Sequence, residues 1–192
     1  CVPAPARPNI DRQSPPAATG PLDRALVAMT ELREQEHSLN QVEIYTDGAC
    51  KGNPGPGGWG VLLRAGQVEK ELFGGELGTT NNRMELMAVI AGLEALTKTG
   101  LKITIYSDSQ YVVKAVEQGW LKTWIATGFK GGKKNRDLWE HYYRLAMQHQ
   151  IKFVWVKGHA DNPYNNRCDI LATAAADGSG LEVDEVYESE NP

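Results

Sequence analysis

Four acidic residues stand where carboxylates sit awkwardly: Asp47, Glu85, Asp108 and Asp169. Asp47 follows the alternating stretch Val42-Glu43-Ile44-Tyr45-Thr46, and Asp108 follows Lys102-Ile103-Thr104-Ile105-Tyr106-Ser107, so each closes a segment with β periodicity. Aspartate is common after strands as a turn residue, and those two alone could be turns. Glu85 and Asp169 weaken that reading. Glu85 lies among Met84, Met87, Val89, Ile90 and Leu93, and Asp169 beside Cys168, Ile170 and Leu171, where an ionised carboxylate without a partner is costly. Carboxylates crowded together raise one another's pKa and destabilise a fold unless a cation lies between them. Oxygen ligands without Cys or His favour Mg²⁺, with Mn²⁺ as the alternative, over Zn²⁺. Hard divalent ions held this way, with room for phosphate oxygens, are equipment for phosphodiester hydrolysis. His159, in Val156-Lys157-Gly158-His159-Ala160-Asp161-Asn162, has the bland reading of a solvated loop histidine. On a Gly-flanked loop shortly before Asp169 it is also a candidate proton carrier. His37, His141 and His149 read as surface residues.

The elements that must deliver these groups follow from periodicity. The first strand runs directly into Asp47; Gly52–Gly58 is a turn; Trp59–Arg64 and Val68–Phe73 form an antiparallel meander around Ala65-Gly66. Thr79-Thr80 can cap a helix reaching about Lys98 and ended by Thr99-Gly100. The strand before Asp108 comes next, then a helix Ser109–Gln118, a basic and aromatic stretch Gly119–Lys134, an amphipathic helix Arg136–Gln148, a strand Ile151–Val156 and a helix Asn165–Ala176. The order β-β-β-α-β-α-α-β-α, with a right-handed crossover, puts the first and fourth strands side by side in parallel. Asp47 and Asp108 then emerge as neighbours at carboxyl ends of strands, where ligands gather in open α/β sheets.

The chain ends differ from this core. Cys1–Asn40 holds most of the prolines and reads as a mostly flexible extension, apart from a possible short helix around Leu22–Leu32. Residues 177–192 carry six acids and no Lys or Arg, which reads as a solvated acidic tail. Of the net charge of −4, the extension accounts for −1 and the tail for −6, leaving residues 41–176 at +3 and mildly suited to a polyanion. Three cysteines, Cys1, Cys50 and Cys168, without CxxC or Cys/His spacing, support neither a disulfide framework nor a zinc site. A cytoplasmic location and no membrane span are therefore expected, although a lipoprotein processed at Cys1 is conceivable. The chain opens on Cys1 and not on methionine, which leaves its true start open.

The stretches Tyr45-Thr46-Asp47-Gly48-Ala49-Cys50, Gly52–Gly58, Thr79-Thr80-Asn81-Asn82-Arg83-Met84-Glu85-Leu86, Tyr106-Ser107-Asp108-Ser109-Gln110-Tyr111-Val112 and Val156-Lys157-Gly158-His159 to Arg167-Cys168-Asp169 closely resemble bacterial ribonuclease H type 1, in order and over about Gln41 to Ala176. The resemblance implies an α/β fold with a mixed five-stranded sheet, antiparallel in its first three strands and then parallel, flanked by helices. It implies an endonuclease, expected as a monomer, that cuts the RNA strand of an RNA–DNA hybrid with 3′-hydroxyl and 5′-phosphate products. Asp47, Glu85, Asp108 and Asp169 would hold two metal ions, and His159 would shuttle a proton or aid product release. Asn53, Asn81 and Gln110 would approach the minor groove with Arg83 nearby, Thr80 and Asn53 would bind a DNA phosphate, and Trp120, Lys122, Trp124, Lys133 and Lys134 would belong to a basic protrusion that grips the hybrid. Trp120 and Trp124 can equally be core anchors. A catalytically idle hybrid-binding module, a DNA-joining enzyme of the same fold and a domain cut from a reverse transcriptase remain as rivals.

Overall fold

The computed structural model describes residues 20–132, 134–158, 160 and 162–191. It divides into two units, residues 1–36 and 37–192. In the first, residues 21–36 belong to one helix, α1 (Pro21–Leu39), which buries no residue and is longer than the Leu22–Leu32 stretch that periodicity suggested. The remainder of the Cys1–Asn40 extension, residues 1–19, lies outside the described residues.

The second unit is built on five strands in the order β3-β2-β1-β4-β5. β1 (Gln41–Cys50) pairs antiparallel with β2 (Gly55–Ala65) and parallel with β4 (Lys102–Ser107); β3 (Val68–Thr79) extends the antiparallel edge and β5 (Gln150–Trp155) the parallel one. The expected neighbour relation of the first and fourth strands is present, with Thr46 opposite Ser107, so Asp47, still within β1, and Asp108, just past β4, follow the last parallel pair at the same level. The helices are α2 (Asn81–Glu94), α3 (Gln110–Glu117), α4 (Trp120–Ala126), α5 (Arg136–Ala146), α6 (Pro163–Ala176) and α7 (Glu185–Glu190).

Alternation along β1 sorts the two faces. Val42 and Ile44 join the main core with Leu86, Ala88, Val89, Ile90 and Leu93 of α2, while Tyr45 faces Cys168 of α6 in a smaller cluster with Leu62. Glycines set how closely α6 can lie: a Cβ at Gly58 would meet Ala172 O at 2.2 Å, and one at Gly60 would meet Cys168 O at 2.3 Å. Burial of this kind contributes ~25 cal/mol per Å² of apolar surface, and the fully enclosed Ile44, Leu86, Ile90 and Trp139 carry much of it.

Several boundaries depart from expectation: β1 runs past Asp47 to Cys50, and α2 ends at Glu94, short of Lys98. β3 runs on through Gly74-Gly75 to Thr79, because Gly74 stands opposite Trp59 and a Cβ there would strike the indole at 2.6 Å. β2 begins inside the expected turn, at Gly55, across a bulge. In the basic stretch Gly119–Lys134, Trp120–Ala126 is helical: Leu121 is buried, and Trp124 packs edge-on against Trp139 at 5.8 Å between ring centres. The acidic end is not wholly solvated either, since Asp184 is buried and starts α7. No described helix is long and apolar enough to cross a membrane.

Candidate active site

Asp47 reaches its place because β1 continues past the last parallel pair with β4 and there meets the start of α2. The contact requires Gly48: a Cβ at that position would lie 2.4 Å from the Glu85 backbone nitrogen. α2 is aimed by its cap. Thr80 is extended (φ −127°, ψ 159°) and its side chain accepts from the Arg83 N–H at 3.4 Å. The Asn53 side chain accepts from the Asn81 N–H at 3.0 Å, which pins the Gly-rich loop to the same helix end. Thr80, Asn53 and Asn81 are thus together at one helix N-terminus.

Asp108 stands between the end of β4 and the start of α3. Ser109 caps that helix by accepting from the Val112 N–H at 3.4 Å, and the Ser109 N–H donates to Ser107 Oγ at 3.1 Å. Trp155 steadies the junction from β5, donating its indole N–H to the Asp108 carbonyl at 3.0 Å. Gly158 permits a close passage, since a Cβ there would be 2.3 Å from Asp108 Oδ2. Asp169 arrives on α6, which is hooked to β1 by two side chains: Asn165 Nδ2 donates to Thr46 O at 3.2 Å and Cys168 Sγ to Tyr45 O at 3.2 Å.

Asp47, Glu85 and Asp108 each offer one carboxylate oxygen within 4.8 Å of the others. Burial, and then the charges of Asp108 and Asp169, push the Asp47 carboxyl up to about 8, against the pull of the Gly48 N–H that donates to it at 2.8 Å. Burial, Asp47 and Asp108 hold the Glu85 carboxyl well above the ordinary range. Glu85 Oε2 is buried without a hydrogen-bond partner. Among the described residues no basic side chain contributes to either shift. A buried oxygen without a donor, in a set of mutually repelling carboxylates, fits a hard divalent cation.

Of the other expected site residues, Gln110 is exposed at the start of α3 and accepts from Lys114 Nζ at 2.8 Å. Trp120 is 42% exposed, Trp124 is half-buried, and Lys122 and Lys134 are exposed. His159 and Lys133 lie outside the described residues. Arg83 differs most from expectation. Its side chain is buried, and its guanidinium donates to Asp184 (Nε 2.5 Å, Nη2 2.9 Å), Asp137 (Nη1 3.0 Å, Nη2 2.8 Å) and Asn135 (Nη1 3.5 Å). Five N–H groups make five bonds, so none is left for a duplex, and the expected place of Arg83 beside the minor groove gives way to a bridge inside the protein. The glycines Gly48 and Gly158, each flanking a site element, were not singled out from sequence as site residues; a glycine directly after a strand-end aspartate was the available signal.

A carboxylate-only cluster brought together by β1, α2 and the end of β4 defines a metal-dependent class of α/β enzyme. A family model described as RNase H matches residues 39–177. The chain is 54% identical over 151 residues to the ribonuclease H of Syntrophus aciditrophicus, covering 77% of this chain and 87% of that protein. It belongs to the ribonuclease H family. Among solved structures, LC9-RNase H1, a type 1 RNase H with the type 2 active-site motif, is similar with a TM-score of 0.67 and 32% identity over 78% of this chain and 80% of that one. LC11-RNase H1, solved in complex with an RNA/DNA hybrid, has a TM-score of 0.53 and 26% identity over 71% of this chain and 96% of that one.

Proposed function

We propose that this chain hydrolyses the RNA strand of RNA–DNA hybrids within residues 41–176, leaving 3′-hydroxyl and 5′-phosphate ends, and that Asp47, Glu85, Asp108 and Asp169 are its metal ligands. The observation that carries the reading is the convergence of three carboxylates within 4.8 Å with no basic side chain acting on Asp47 or Glu85 among the described residues. Two Mg²⁺ ions, or Mn²⁺, held by that set would activate the attacking water and stabilise the leaving oxygen. The protein's own groups do the rest. Asn53, Asn81 and Gln110 present short amides to the minor groove, where a 2′-hydroxyl separates the RNA strand from the DNA strand. Thr80 and Asn53, at the N-terminus of α2, offer a phosphate of the DNA strand a place beside a helix dipole. Lys122, Lys133 and Lys134, with Trp120 and Trp124, neutralise and border the backbone, and His159 carries a proton to or from the scissile linkage. That LC11-RNase H1 was solved with an RNA/DNA hybrid supports the substrate class. We expect the enzyme to act as a monomer in the cytoplasm.

End-labelled RNA–DNA hybrid, double-stranded RNA and double-stranded DNA, each incubated with Mg²⁺ and with a chelator, test this. Cleavage of the hybrid's RNA strand alone, abolished by the chelator and leaving RNA ends that a polymerase extends, is the expected result. Cleavage of duplex DNA, or hybrid binding without cleavage, would overturn it.

A further inference from the structure

The acidic end of the chain is stitched onto the catalytic unit. Glu182 donates its N–H to Gly75 O at 2.9 Å and accepts from the Leu77 N–H at 2.8 Å, which lays it against the outer edge of β3. Leu181 packs on Gly75, where any Cβ would meet its Cδ2 at 2.6 Å. The chain then turns in, and Asp184 is buried with both oxygens bonded to Arg83 while Oδ1 also accepts from the Tyr187 N–H at 3.0 Å.

Arg83 passes this anchorage on. Through Asp137 and Asn135 it reaches the N-terminus of α5, and Asn135 Nδ2 donates to the Tyr111 hydroxyl of α3 at 3.1 Å. The same hydroxyl accepts from Trp139 Nε1 at 2.7 Å, so it is held from two sides. The helices joined in this way are α2, which carries Asn81 and Glu85, and α3, which begins at Gln110. The family match ends at residue 177, so Asp184 lies beyond the part it covers.

We propose that Asp184 is a positioning residue for hybrid binding: by completing the Arg83 bridge it holds the N-termini of α2 and α3 at the spacing that lets Asn81 and Gln110 engage one minor groove together. The inference rests on the reading of this chain as a hybrid-cleaving enzyme. Without Asp184, two of the five guanidinium N–H groups lose their acceptor, and a buried cation so exposed turns toward whatever oxygen remains, loosening α2 against α3. Asp184 is buried against Arg83 and stands apart from the Asp47, Glu85 and Asp108 group, so its loss should act on the fit of the duplex and leave the chemical step alone.

The full chain and its D184A, D184N and R83K variants are compared on a labelled hybrid with Mg²⁺, each well below its own Tm, with folding followed by circular dichroism. For D184A we expect KM to rise about tenfold with kcat within about twofold and with an unchanged Mg²⁺ concentration for half-maximal rate. D184N keeps one acceptor and should fall between D184A and the wild type. R83K, unable to bridge Asp184 and Asp137 with a single ammonium, should behave as D184A does. A folded D184A with the wild-type KM, a fall in kcat at constant KM, or an activity loss that tracks the unfolded fraction in every variant would overturn the proposal. Failure of the wild type itself to cleave would sink the hybrid-cleaving reading instead.

Discussion

Two acidic clusters share one helix, and they solve the same electrostatic problem in opposite ways. Arg83 and Glu85 are both buried in the first turns of α2. Around Arg83 stand Asp137, Asp184 and Glu76; around Glu85 stand Asp47 and Asp108, with Asp169 close enough to act on Asp47. In the first cluster burial opposes the guanidinium charge, but the bonds from Asp137 and Asp184 outweigh it and hold the arginine more firmly protonated than usual. Burial likewise opposes ionisation of Asp137, and Arg83 overcomes it, so that carboxyl is pulled below its ordinary value. For Asp47 and Glu85 no described basic side chain plays that part, and both shift upward. A cluster that carries its own cation is a brace. Buried carboxyls pushed upward without one, as at Asp47 and Glu85, suit a cation from solution.

The largest effect should come from the cluster around Glu85. Asp47→Asn is expected to lower kcat on the order of 10³-fold, the worth of several kcal/mol of metal assistance, while the hybrid dissociation constant stays within about threefold because the grip lies elsewhere. The same change should stabilise the metal-free protein. The Asp47 carboxyl is raised from 3.8 to about 8 in the fold, so the folded state keeps a proton that the unfolded chain gives up, and stability falls as pH rises between those values. Asparagine does not titrate, and relief of even one pKa unit, ~1.4 kcal/mol, raises Tm by roughly 3–5 °C. Thermal unfolding at pH 8 with a chelator reads this; a lower Tm for the variant would break the contrast between the clusters. Addition of Mg²⁺ should raise the wild-type Tm and move that of the variant less.

Removing the cation from the braced cluster should have the reverse sign. Arg83→Met leaves the buried Asp184 and the half-buried Asp137 without a counter-charge, at a cost of ~3–5 kcal/mol or roughly 6–20 °C in Tm. Calorimetry of the two single variants under one buffer checks it. A loss of less than about 1 kcal/mol would mean that water already shares the work of the guanidinium.

The two clusters were not equally legible. Asp47 and Asp108 announce themselves locally, each at the end of an alternating strand, and the crossover rule makes those strands neighbours; the structure pairs them in parallel. Glu85 and Asp169 were conspicuous because their neighbours are apolar. The Arg83 cluster has no such local signature. Its key bond joins residues 101 apart in sequence, and Asp184 sits in a stretch whose composition is that of a solvated tail. The contact of Leu181 with Gly75 that helps dock the segment is likewise invisible in its composition. The β2–β3 hairpin was misjudged for a related reason: Gly74 and Gly75 look like a strand end, yet they stay in the ladder to admit the Trp59 ring and Leu181. Helix α4 was hidden by flanking glycines and lysines, because what holds it is Leu121 in the core and Trp124 on Trp139, contacts made far from the segment itself.

The smallest expected effect sharpens the comparison most. The Arg83 cluster holds three acids against one guanidinium, and the surplus falls on Glu76, whose carboxyl is pushed up to about 8 by burial and by its hydrogen bond to, and the charge of, Asp184. Its folded value lies above the ordinary 4.5, so the proton is bound more tightly in the fold. Stability is therefore unaffected below about pH 4.5 and declines as pH climbs toward 8. Glu76→Gln replaces the protonated carboxyl with an amide that can still donate to Asp184 and cannot ionise. The variant should match the wild type near pH 4.5 and become more stable by about 1 kcal/mol near neutrality, with the gap widening to pH 8. Urea unfolding at a series of pH values measures it. A gap that is constant with pH would show that Glu76 ionises in the fold as readily as in the unfolded chain, and the brace would then carry a surplus negative charge near neutrality.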